Sequence, residues 1–393
     1  MIRFLYSLLL LFTVVNVVIS QNKILEVRYG ANLQDMINQA MDGDTILIYE
    51  GDYKAIPQTF IEYECGNCGE PLTEVTATYG FIVQGKSLTI KGTNPFKTRI
   101  ITNAGYGLLI LNSPNSTITN LTVTGGKRDR DPNATDGGIV VKNSVVTIRN
   151  VNIKDNDHTL PDIVVGICGI VGRENSELVI DKCVIRNNSW DGVALYRGSK
   201  AIIRENIIEQ GRGVGIGITW DAKAVVYNNS VSYYWKGIGT FGNSYADVYN
   251  NLIFENLGWG IVITGASFME LRNNIVDKNG NCGVALWDSS AKGIIYNNII
   301  TNNGWRDEWV CPQVGFWMNG SIQNLEFHHN NLANNIMGDY RNISDLTGRD
   351  GNVSIDPQFD KNYKLPDNSP LSNSGYSSGK SVIIRKNPIG RKE

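Results

Sequence analysis

An asparagine recurs at one slot of a repeated unit in the second half of this chain. The segments IIRENIIEQ, VVYNNSVSY, DVYNNLIFE, LRNNIVDKN and IIYNNIITN place it at Asn206, Asn229, Asn251, Asn274 and Asn298, with gaps of 23, 22, 23 and 24 residues. A period in the twenties is typical of a solenoid, because one unit cannot bury its apolar face alone and buries it against its neighbours. The repeat therefore predicts a stack of similar coils.

Weaker copies extend the repeat in both directions. FHHNNLANN places Asn331 in the same slot, and Cys183, Val151 and Leu121 occupy it in the preceding units. A second signature precedes each of the five asparagines, in the forms GVALY, GIGIT, GIGTF, GIVIT and GVALW. Its alternating apolar residues and its enrichment in β-branched residues predict strands.

Three short strands make up one unit, for example GVALW, AKGIIY and NIIT between residues 283 and 301. We call the sheets that these strands would form the first, second and third sheet, in that order. Stacked coils pair each strand with its equivalent one coil away, which gives three parallel sheets. The prediction is an all-β, single-stranded parallel β-helix, right-handed by the crossover rule. About 10–11 coils at ~4.8 Å each would form a rod on the order of 50 Å long.

The two ends of the chain depart from the repeat. The segment ANLQDMINQAMDGDTILIYEGDY has apolar residues at a helical spacing, Leu33, Met36, Ile37 and Met41, followed by the strand TILIY. An amphipathic helix here would cover the open first coil, which otherwise invites edge-to-edge association. The predicted organisation is a signal peptide (1–20), a capping helix and first strand (21–53), the β-helix (54–341), and a terminal strand and tail (342–393).

The first twenty residues have the composition of a secretory signal. Arg3 is their single charge, and an apolar run from Phe4 to Val18 precedes short side chains before Gln21. This run is too short for a comfortable membrane span, so we expect cleavage after Ser20 and a secreted or periplasmic protein. The formal net charge of −2 gives no steering toward nucleic acid. No other apolar stretch predicts membrane insertion.

Six cysteines in an exported chain are able to form disulfides. Cys65 and Cys68, in ECGNCGEP, are close enough for a small loop disulfide or, alternatively, for half of a metal site. That metal site would need two further ligands, which the sequence leaves unknown. Cys168 and Cys183 fall in strand patterns and are expected to be buried free thiols.

Three features together resemble a known superfamily. These are the helix followed by GDTILIYEGDY, the coils that contain NN, and the closing DPQFDKNYKLPDNSPLSNSG. Over about residues 24–375 they resemble secreted right-handed parallel β-helix proteins of the pectate-lyase-like superfamily. That superfamily includes polysaccharide lyases, glycoside hydrolases, uronate epimerases, phage tailspikes and non-catalytic surface proteins, so the resemblance implies a fold and leaves the reaction open. It also implies an internal asparagine ladder at the two-residue turn and a substrate cleft on the first sheet.

The resemblance assigns GVALY, GIGIT, GIGTF, GIVIT and GVALW to the first sheet. Alternation then points one set of side chains inward, namely Val193, Leu195, Ile216, Ile218, Ile261, Ile263, Val284 and Leu286. A strip of small residues faces outward, namely Ala194, Gly217, Gly239, Val262 and Ala285. Beside this strip lie Tyr196, Thr219, Phe241, Thr264 and Trp287. We call the strip and its edges the trough.

All eight tryptophans lie between Trp190 and Trp317, in the part of the chain that forms the trough. A low trough edged by aromatic rings suits a long, flat, polar ligand, because sugar rings stack on aromatic faces. The candidate polysaccharide-binding residues are Tyr196, Arg212, Trp220, Lys236, Phe241, Trp259 and Trp287. The alternative is that the rings only cover the sheet and support its loops.

Because the small strip carries no charge, any catalytic group must come from the turns that enter the first sheet. Two enlarged turns, residues 124–136 and 154–162, belong to successive coils and should touch. With one residue of the next coil they offer the candidates Arg128, Arg130, Asp157, His158 and Asp191. A third enlarged turn, residues 301–314, brings Cys311 toward Cys282, where a disulfide could join neighbouring coils.

Three chemistries suit this cluster. A uronate lyase or epimerase needs a cation for the sugar carboxylate, for which Arg128 or Arg130 is the candidate, and a base for the C5 proton, for which His158 is the candidate. Asp157 and Asp191 could instead be the acid and base of glycoside hydrolysis. The aspartates could also hold Ca²⁺ structurally. The remaining alternative is a set of solvated loop tips.

The favoured hypothesis is an exported carbohydrate-active enzyme, either a polysaccharide lyase or a uronate epimerase, with an acidic glycan along the first sheet. A glycoside hydrolase with an aspartate pair is the second enzymatic alternative. The competing class is a non-catalytic β-helix that binds glycans, adheres to surfaces or serves as structure, since we find no motif that fixes one lyase or hydrolase family. The sequence does not set the oligomeric state.

Overall fold

The computed structural model describes residues 22–372, and it confirms the solenoid of three sheets. The predicted signal peptide, with its cleavage after Ser20, lies outside the described residues. Within residues 22–372 the first and second sheets have 12 strands each and the third has 11. Strands of one coil pair with their equivalents in the next coil, in parallel and in continuous register, as at Val284 and Phe316.

The strand bounds follow the three sheets. The first sheet contains Gln58–Glu62, Val75–Gln84, Tyr106–Leu111, Gly137–Lys142, Cys168–Arg173, Val193–Leu195, Val214–Thr219, Lys236–Phe241, Trp259–Ile263, Val284–Leu286, Phe316–Met318 and Tyr340–Arg341. The second contains Ile24–Val27, Thr45–Ile48, Thr89–Gly92, Ser116–Thr119, Val145–Arg149, Glu177–Asp181, Lys200–Arg204, Lys223–Tyr227, Tyr245–Tyr249, Phe268–Arg272, Lys292–Tyr296 and Leu325–His328. The third contains Gly51–Lys54, Thr98–Ile101, Thr122–Thr124, Asn152–Lys154, Val184–Arg186, Ile207–Glu209, Ser230–Ser232, Leu252–Phe254, Ile275–Asp277, Ile299–Thr301 and Asn331–Ala333.

One apolar core runs along the inside of the stack. All eight side chains that alternation predicts to point inward from the first sheet are 0% exposed and belong to this core. They meet inward side chains of the other two sheets, such as Ile203 and Ile208. Since each coil supplies only a few apolar residues, burial of this core depends on contact between neighbouring coils.

The two-residue turn between the second and third sheets contains the predicted asparagine ladder. Asn297 has a φ of +55°, a left-handed conformation that asparagine tolerates better than most residues. The next residue, Asn298, points inward, and its Oδ1 accepts from the backbone N–H and Nδ2 of Asn274 at 2.9 and 3.0 Å. Each buried amide is therefore paired with the next coil.

The assignment of Asn331 to this ladder is wrong by one residue. Asn330 accepts from the backbone N–H and Nδ2 of Asn298, both at 3.0 Å, and the ladder continues from Asn330 to Asn352. Asn331 instead begins the strand Asn331–Ala333. The pair HN takes the place of NN here, with His329 in the left-handed position at φ +53°.

A second asparagine ladder lies at the turn that follows the third sheet, where the sequence predicted none. The Oδ1 of each member accepts from the backbone N–H of the equivalent residue one coil earlier, and from the side-chain Nδ2 of that residue where it is an asparagine. The members are Asn256, Asn279, Asn303 and Asn335. All four are buried. The four coils from Asn251 to Asn335 are thus fixed at two corners before the chain enters the first sheet.

The N-terminal end is covered by the predicted helix, Leu33–Gln39. Asn32 caps it, because its side chain accepts from the backbone N–H groups of Gln34 and Asp35. Leu33 and Ile37 are buried in the core of the stack. Met41 lies beyond the helix and is 67% exposed, so it does not belong to the apolar face that the spacing predicted.

The C-terminal segment packs along the outside of the third sheet. After Tyr340–Arg341 the described residues contain no strand, only an isolated bridge between Val353 and Asn331, so the terminal strand predicted after residue 342 is absent from residues 342–372. Phe359, Tyr363 and Leu371 instead join Leu252, Phe254, Ile275 and Ile299 in a small apolar cluster.

An antiparallel hairpin, residues 58–79, departs from the parallel architecture and was not predicted. We call it the arm. The strand Gln58–Glu62 pairs with the start of Val75–Gln84, and Glu62 lies opposite Val75. Cys65, Val75 and Ala77 pack on outward side chains of the first sheet, among them Val140 and Ala194. The arm therefore covers the N-terminal part of that sheet.

Candidate functional site

Ten glycines occupy equivalent positions where successive coils enter the first sheet, namely Gly80, Gly107, Gly138, Gly169, Gly192, Gly215, Gly237, Gly260, Gly283 and Gly315. A Cβ on Gly237 would lie 2.5 Å from the carbonyl oxygen of Gly260, so the stack leaves no room for a side chain here. The residues just before Gly192 and Gly237 are Asp191 and Lys236. Both lie at the edge of the outer face of the sheet.

Asp191 is the central acidic group of this face. It is 5% exposed, and its Oδ1 accepts from the backbone N–H of Val214 at 2.6 Å. Burial raises the pKa of its carboxyl to about 7, and the N–H of Val214 and the charge of Lys236 offset only part of this effect. A carboxyl with such a pKa is present in both protonation states near neutral pH and can donate or accept a proton there.

Val214, whose N–H binds Asp191, pairs in register with Lys236, which therefore lies one coil further along the sheet. Its side chain is partly buried, and burial lowers the pKa of its ammonium group, an effect that the charge of Asp191 opposes. Its Nζ lies 5.0 Å from the ring centroid of Trp259 and 6.0 Å from that of Phe241. Lys236 therefore has more free amine at neutral pH than an exposed lysine has.

The floor beside these two groups leaves room for a small side chain at Gly217, which is itself buried. Among the described residues, the atoms nearest to a Cβ placed there would be Oδ2 of Asp191 at 3.6 Å and Cβ of Val214 at 3.8 Å. At the next coil the ring of Phe241 lies over Gly239, 2.7 Å from the position of such a Cβ. A ligand approaching Gly217 would therefore lie against Asp191, with Phe241 to one side.

Toward the C-terminal end, aromatic rings cover the floor of the predicted trough. Trp309, Trp235, Trp259, Trp287 and Trp317 form a continuous series with centroid separations of 4.8, 5.7, 5.5 and 4.8 Å. Beneath them Val262 and Ala285 are 1% and 0% exposed. The predicted outward register of the small strip is confirmed, but in this part the rings themselves are the surface.

Toward the N-terminal end, the arm and two loops enclose a cavity of about 180 Å³. Its walls are Cys65 and Cys68 of the arm, residues 132–136, and Cys168 and Tyr196 of the first sheet. The charge of Asp191 raises the pKa of both Cys168 and Tyr196, beyond the larger effect of burial, so Asp191 lies close behind this wall. The floor at Gly217 thus lies between the cavity and the aromatic series.

Arg128, a predicted catalytic cation, is buried in the loop that forms one wall of this cavity. Its side chain is 0% exposed and donates to Oδ2 of Asp136 at 2.7 Å and to the carbonyl oxygens of Asp129, Pro132 and Val165. A guanidinium enclosed in this way cannot reach a sugar carboxylate. It binds its own loop and the carbonyl oxygen of Val165 instead. The backbone N–H of Arg128, which donates to Nδ1 of His158, confirms that the two enlarged loops touch.

The other predicted catalytic residues of these loops lie at their surface. Arg130 and Asp157 are exposed, and His158 is partly buried. Nδ1 of His158 accepts from the backbone N–H of Arg128 at 3.1 Å, which leaves Nε2 as the nitrogen available to a ligand. The carbonyl oxygen of His158 accepts from the hydroxyl of Ser189 at 3.2 Å, which places the His158 loop against the segment that leads to Asp191.

Two further carboxyls lie beside Arg128 and were not chosen from the sequence. Burial and the neighbouring Asp129 raise the pKa of Asp136 to about 7, while Arg128 opposes the shift. Asp129 accepts from the backbone N–H and the hydroxyl of Thr78 at 2.9 and 2.7 Å. Asp136 directly precedes a strand of the first sheet, and Asp191 lies two residues before the next but one. This shared position could have marked Asp136 as a candidate site residue from the sequence.

The predicted binding residues fall into two groups. Phe241, Trp259 and Trp287 lie along the trough with Lys236, and Arg212 is exposed at its edge. Tyr196 is 4% exposed and lines the cavity, and Trp220 is partly buried against the outer cluster of the arm. Arg197, which the sequence did not single out, lies 4.7 Å from the ring centroid of Trp220 and donates to the carbonyl oxygen of Cys68.

The cysteines are placed as expected, except that the disulfide predicted between Cys282 and Cys311 is not formed. Cys65 and Cys68 form a disulfide within the arm. Cys282 and Cys311 are buried thiols with their sulfur atoms 3.2 Å apart, so they are neighbours without a bond. Cys168 and Cys183 are buried free thiols, as the strand pattern predicted.

The Ca²⁺ expected at the loop carboxylates stays a prediction. Within residues 22–372 no group of three or more histidine, cysteine, aspartate or glutamate side chains is arranged to hold a metal ion. Asp129 and Asp136 are bound by Thr78 and Arg128.

Comparison with known proteins agrees with the architecture. The family described as right handed beta helix region matches residues 137–303. The fold is a right-handed parallel β-helix. This is the fold that the resemblance to the pectate-lyase-like superfamily implies. No curated protein matches the chain significantly in sequence. Among the described residues, no helix has the length and apolar character that a membrane span requires.

Several solved structures of this β-helix class are similar to the chain. The periplasmic alginate epimerase AlgG is 14% identical, with a TM-score of 0.45, covering 76% of this chain and 92% of that one. The A-module of the Azotobacter vinelandii mannuronan C-5 epimerase AlgE6 is 14% identical, with a TM-score of 0.47 and coverages of 83% and 94%. Pectate lyase Pel9A is 16% identical, with a TM-score of 0.43 and coverages of 92% and 94%. At such identities a shared fold does not carry an activity with it.

Proposed function

We propose that this chain is an exported enzyme that acts on an acidic polysaccharide by β-elimination or by epimerisation at C5. The observation that carries the proposal is the placement of Asp191 and Lys236 on the outer face of the first sheet, beside the small floor residue Gly217. One is a carboxyl and the other an amine, and burial shifts the pKa of each toward neutrality. Such a pair can supply both an acid and a base at the same pH.

In β-elimination, the free amine of Lys236 would take the C5 proton of a uronate residue. The electron pair released at C5 forms the C4–C5 double bond, and the bond from C4 to the bridging oxygen breaks. The carboxyl of Asp191 gives its proton to that oxygen as it leaves. Transfer of a proton from Lys236 to Asp191 then restores both groups, so no further reagent is needed.

Epimerisation would use the same groups without cleavage. One of the two removes the C5 proton from one face of the sugar, and a proton is returned to the opposite face. In both reactions the carboxylate on C5 must be neutralised as negative charge develops next to it. Arg212 is exposed at the edge of the trough and is the candidate cation, in place of the enclosed Arg128.

The aromatic series supplies the polysaccharide-binding surface of this proposal. Trp309 is 69% exposed and Trp305 is 39% exposed, and both lie in the enlarged turn before the strand Phe316–Met318. Arg306 lies over the ring of Trp235, 5.1 Å from its centroid, so the series also carries positive charge. Rings with neighbouring cations suit a sugar chain that bears carboxylates.

A panel of uronic-acid polysaccharides tests the proposal. Elimination is followed by the ultraviolet absorbance of the unsaturated product, and epimerisation by incorporation of solvent deuterium at C5. Lys236→Met and Asp191→Asn are each expected to lower kcat/KM by about 100-fold or more. Lys223→Met, on the second sheet, is the matched control and should keep wild-type activity. Wild-type rates in both Lys236→Met and Asp191→Asn would sink this assignment.

A glycoside hydrolase is the second candidate, favoured by a separate observation. Asp136 and Asp191 both have a pKa raised to about 7, and hydrolysis needs one carboxyl that is protonated and one that is ionised. Release of reducing ends without unsaturated product would support it. Retention on a polysaccharide column with no product of either kind would favour a non-catalytic, glycan-binding β-helix.

A further inference from the structure

Two buried carboxyl groups face each other where the arm meets the enlarged loop of residues 124–136. A Cβ built on Gly105 would collide with both Oδ2 of Asp129 and Oδ1 of Asp136, so these two oxygens approach the same point. Asp129 is 8% exposed and Asp136 is 2% exposed. Two carboxylates so close together in a buried place repel each other, and we therefore expect one of them to keep its proton.

The hydrogen bonds of Asp136 leave one of its oxygens without a partner. Its Oδ2 accepts from Nη1 of Arg128 and from the backbone N–H of Asp129, both at 2.7 Å. Its Oδ1 is buried and makes no hydrogen bond within residues 22–372. A buried polar atom without a partner costs free energy and normally indicates a missing one. A proton shared between Oδ1 of Asp136 and Oδ2 of Asp129 supplies that partner without any further group.

Asp129 is also the residue that binds the base of the arm. Its Oδ2 accepts from the backbone N–H of Thr78 at 2.9 Å, and its Oδ1 accepts from the hydroxyl of Thr78 at 2.7 Å. The oxygen of the same hydroxyl accepts from the backbone N–H of Gly105 at 3.0 Å. Thr78 belongs to the arm, where it lies opposite Thr59 in the hairpin. The charge on the carboxyl pair therefore acts directly on the contact between the arm and the loop.

Arg128 is the cation that faces this pair of carboxyls. Other titratable side chains reach the pair from each element packed on it, namely Asp131 of the loop, Tyr106 and Cys168 of the first sheet and, behind Tyr106, Glu62 of the arm. Burial raises the pKa of Tyr106 and of Cys168, so both are neutral near pH 7. Glu62 is bound by its own cations, and Asp131 is partly exposed to solvent. Arg128 thus balances one carboxylate of the pair but not two.

We propose that Asp129 and Asp136 share one proton that fastens the base of the arm to the loop, so that the arm is held tightly in weakly acidic solution and loosens as this proton is lost to solvent. The inference is independent of the proposed reaction. The arm packs on Ala194, which lies in register with Gly217 in the next coil. Acidity would therefore set how much of the outer face of the first sheet the arm covers.

Hydrogen exchange of the arm, followed by mass spectrometry, tests this proposal. The pKa of Asp136 is raised from 3.8 to about 7 in the folded state, so the closed arm holds a proton between these values that the open arm releases. After correction for the intrinsic pH dependence of exchange, the protection of residues 75–79 should fall by about tenfold or more between pH 5 and pH 7. Constant protection over this interval in wild-type protein would overturn the proposal.

Asp136→Asn is the variant that isolates the shared proton, because its amide group can donate to Asp129 at every pH. Protection of residues 75–79 should then stay nearly constant between pH 5 and pH 7. Asp131→Asn is the matched control, since Asp131 accepts from the backbone N–H of Thr76 at 2.8 Å in the same loop but does not belong to the pair. Its pH dependence should equal that of wild type. Retained pH dependence in Asp136→Asn, or its loss in Asp131→Asn, would contradict the shared proton.

A measurement on wild-type protein covers the case in which Asp136→Asn does not fold. In an NMR titration of carbon-13-labelled aspartate carboxyls, the pair should lose one proton at or below the usual aspartate range and the other near neutral pH, in two separate steps. Complete ionisation of both carboxyls below pH 5 would show that no proton is shared.

Discussion

The guanidinium of Arg173 has no exposed surface and donates to Oε1 of Glu62 at 2.9 Å, across 111 positions of the sequence. The other carboxylate oxygen of Glu62 accepts from Lys142 at 2.8 Å. Arg173 and Lys142 belong to adjacent strands of the first sheet, whereas Glu62 belongs to the arm. These contacts fasten the arm to the sheet and so hold one wall of the cavity in place.

Removal of Arg173 should therefore destabilise the protein strongly. Arg173→Met leaves Glu62 buried with only Tyr106 and Lys142 as partners, and loss of one member of a buried ion pair typically costs about 3–5 kcal/mol. The measurement is the free energy of unfolding in urea. Lys200→Met is the control, because the Lys200–Glu177 pair is exposed and should contribute less than about 1 kcal/mol. Equal losses in the two variants would contradict the structural role of Arg173.

The free energy of unfolding should depend on the inward asparagine of each NN pair, such as Asn274, and hardly on the asparagine before it, such as Asn273. Asn274→Ala removes an acceptor of the Asn251 amides and a donor to Val248 and Asn298, which should cost roughly 3 kcal/mol or more of unfolding free energy. Asn273→Gly should cost little, because Asn273 has a φ of +54° that glycine adopts readily. Thermal unfolding of the two variants measures the difference, and the opposite order would show that the ladder is unimportant.

Stability should fall as the pH rises from about 4 to 7. The pKa of Asp191 is raised in the folded state from 3.8 to about 7, so between these values the folded protein holds a proton that the unfolded chain has lost. The stabilisation is complete below the unfolded pKa and is lost as the pH approaches the folded pKa, by on the order of 4 kcal/mol. Over the same pH interval, the Asp191→Asn variant should lose about 4 kcal/mol less unfolding free energy than the wild-type protein. Parallel curves for the two proteins would contradict the raised pKa.

Lys236 should lower the pKa of Asp191 through its charge. Lys236→Met removes that charge, so the pKa of Asp191 should rise further and the loss of stability should move to higher pH. Titration of a carbon-13 label on the aspartate carboxyls by NMR would follow the shift directly. Lys223→Met should leave the titration of Asp191 unchanged, and a fall of its pKa in Lys236→Met would contradict the arrangement.

Oxidation should join Cys282 to Cys311, whose sulfur atoms are 3.2 Å apart. Peptide mapping without reductant, after exposure of the folded protein to a mild oxidant, should recover these two residues in one cross-linked peptide. Cys168 and Cys183 should react with alkylating agents only after unfolding, because both are buried and burial raises the pKa of each thiol. Alkylation of Cys282 alone in the oxidised sample would argue against the pairing.

The repeat predicted those parts of the fold that each coil reproduces. The slot of Asn298, the inward residues such as Ile216 and the helix at Leu33 follow from local periodicity, which the sequence contains directly. The ladder at Asn256 and Asn279 was missed, although its spacing is just as regular, because variable loops follow it. Asn331 was misplaced because two adjacent asparagines made both alignments plausible.

The candidate site was harder to predict because it depends on contacts between distant segments. Asp191 and Lys236 were singled out, but their shifted pKa values arise from burial that no local pattern encodes. The arm has no repeat, so its position over Val140 and Ala194 could not be inferred. Arg128 looked available in the sequence, and only the packing of two loops shows that its guanidinium is enclosed.

The two asparagine ladders have an evolutionary consequence. Every inner asparagine binds its counterparts in the adjacent coils and backbone carbonyls of its own and the preceding coil, so a duplicated coil would satisfy the same hydrogen bonds as the coil from which it was copied. Such a duplication between Asn229 and Asn298 would lengthen the trough by about 4.8 Å and leave the capped ends as they are. In descendants of this chain, the number of sugars held at once could thus change by whole units without redesign of the core.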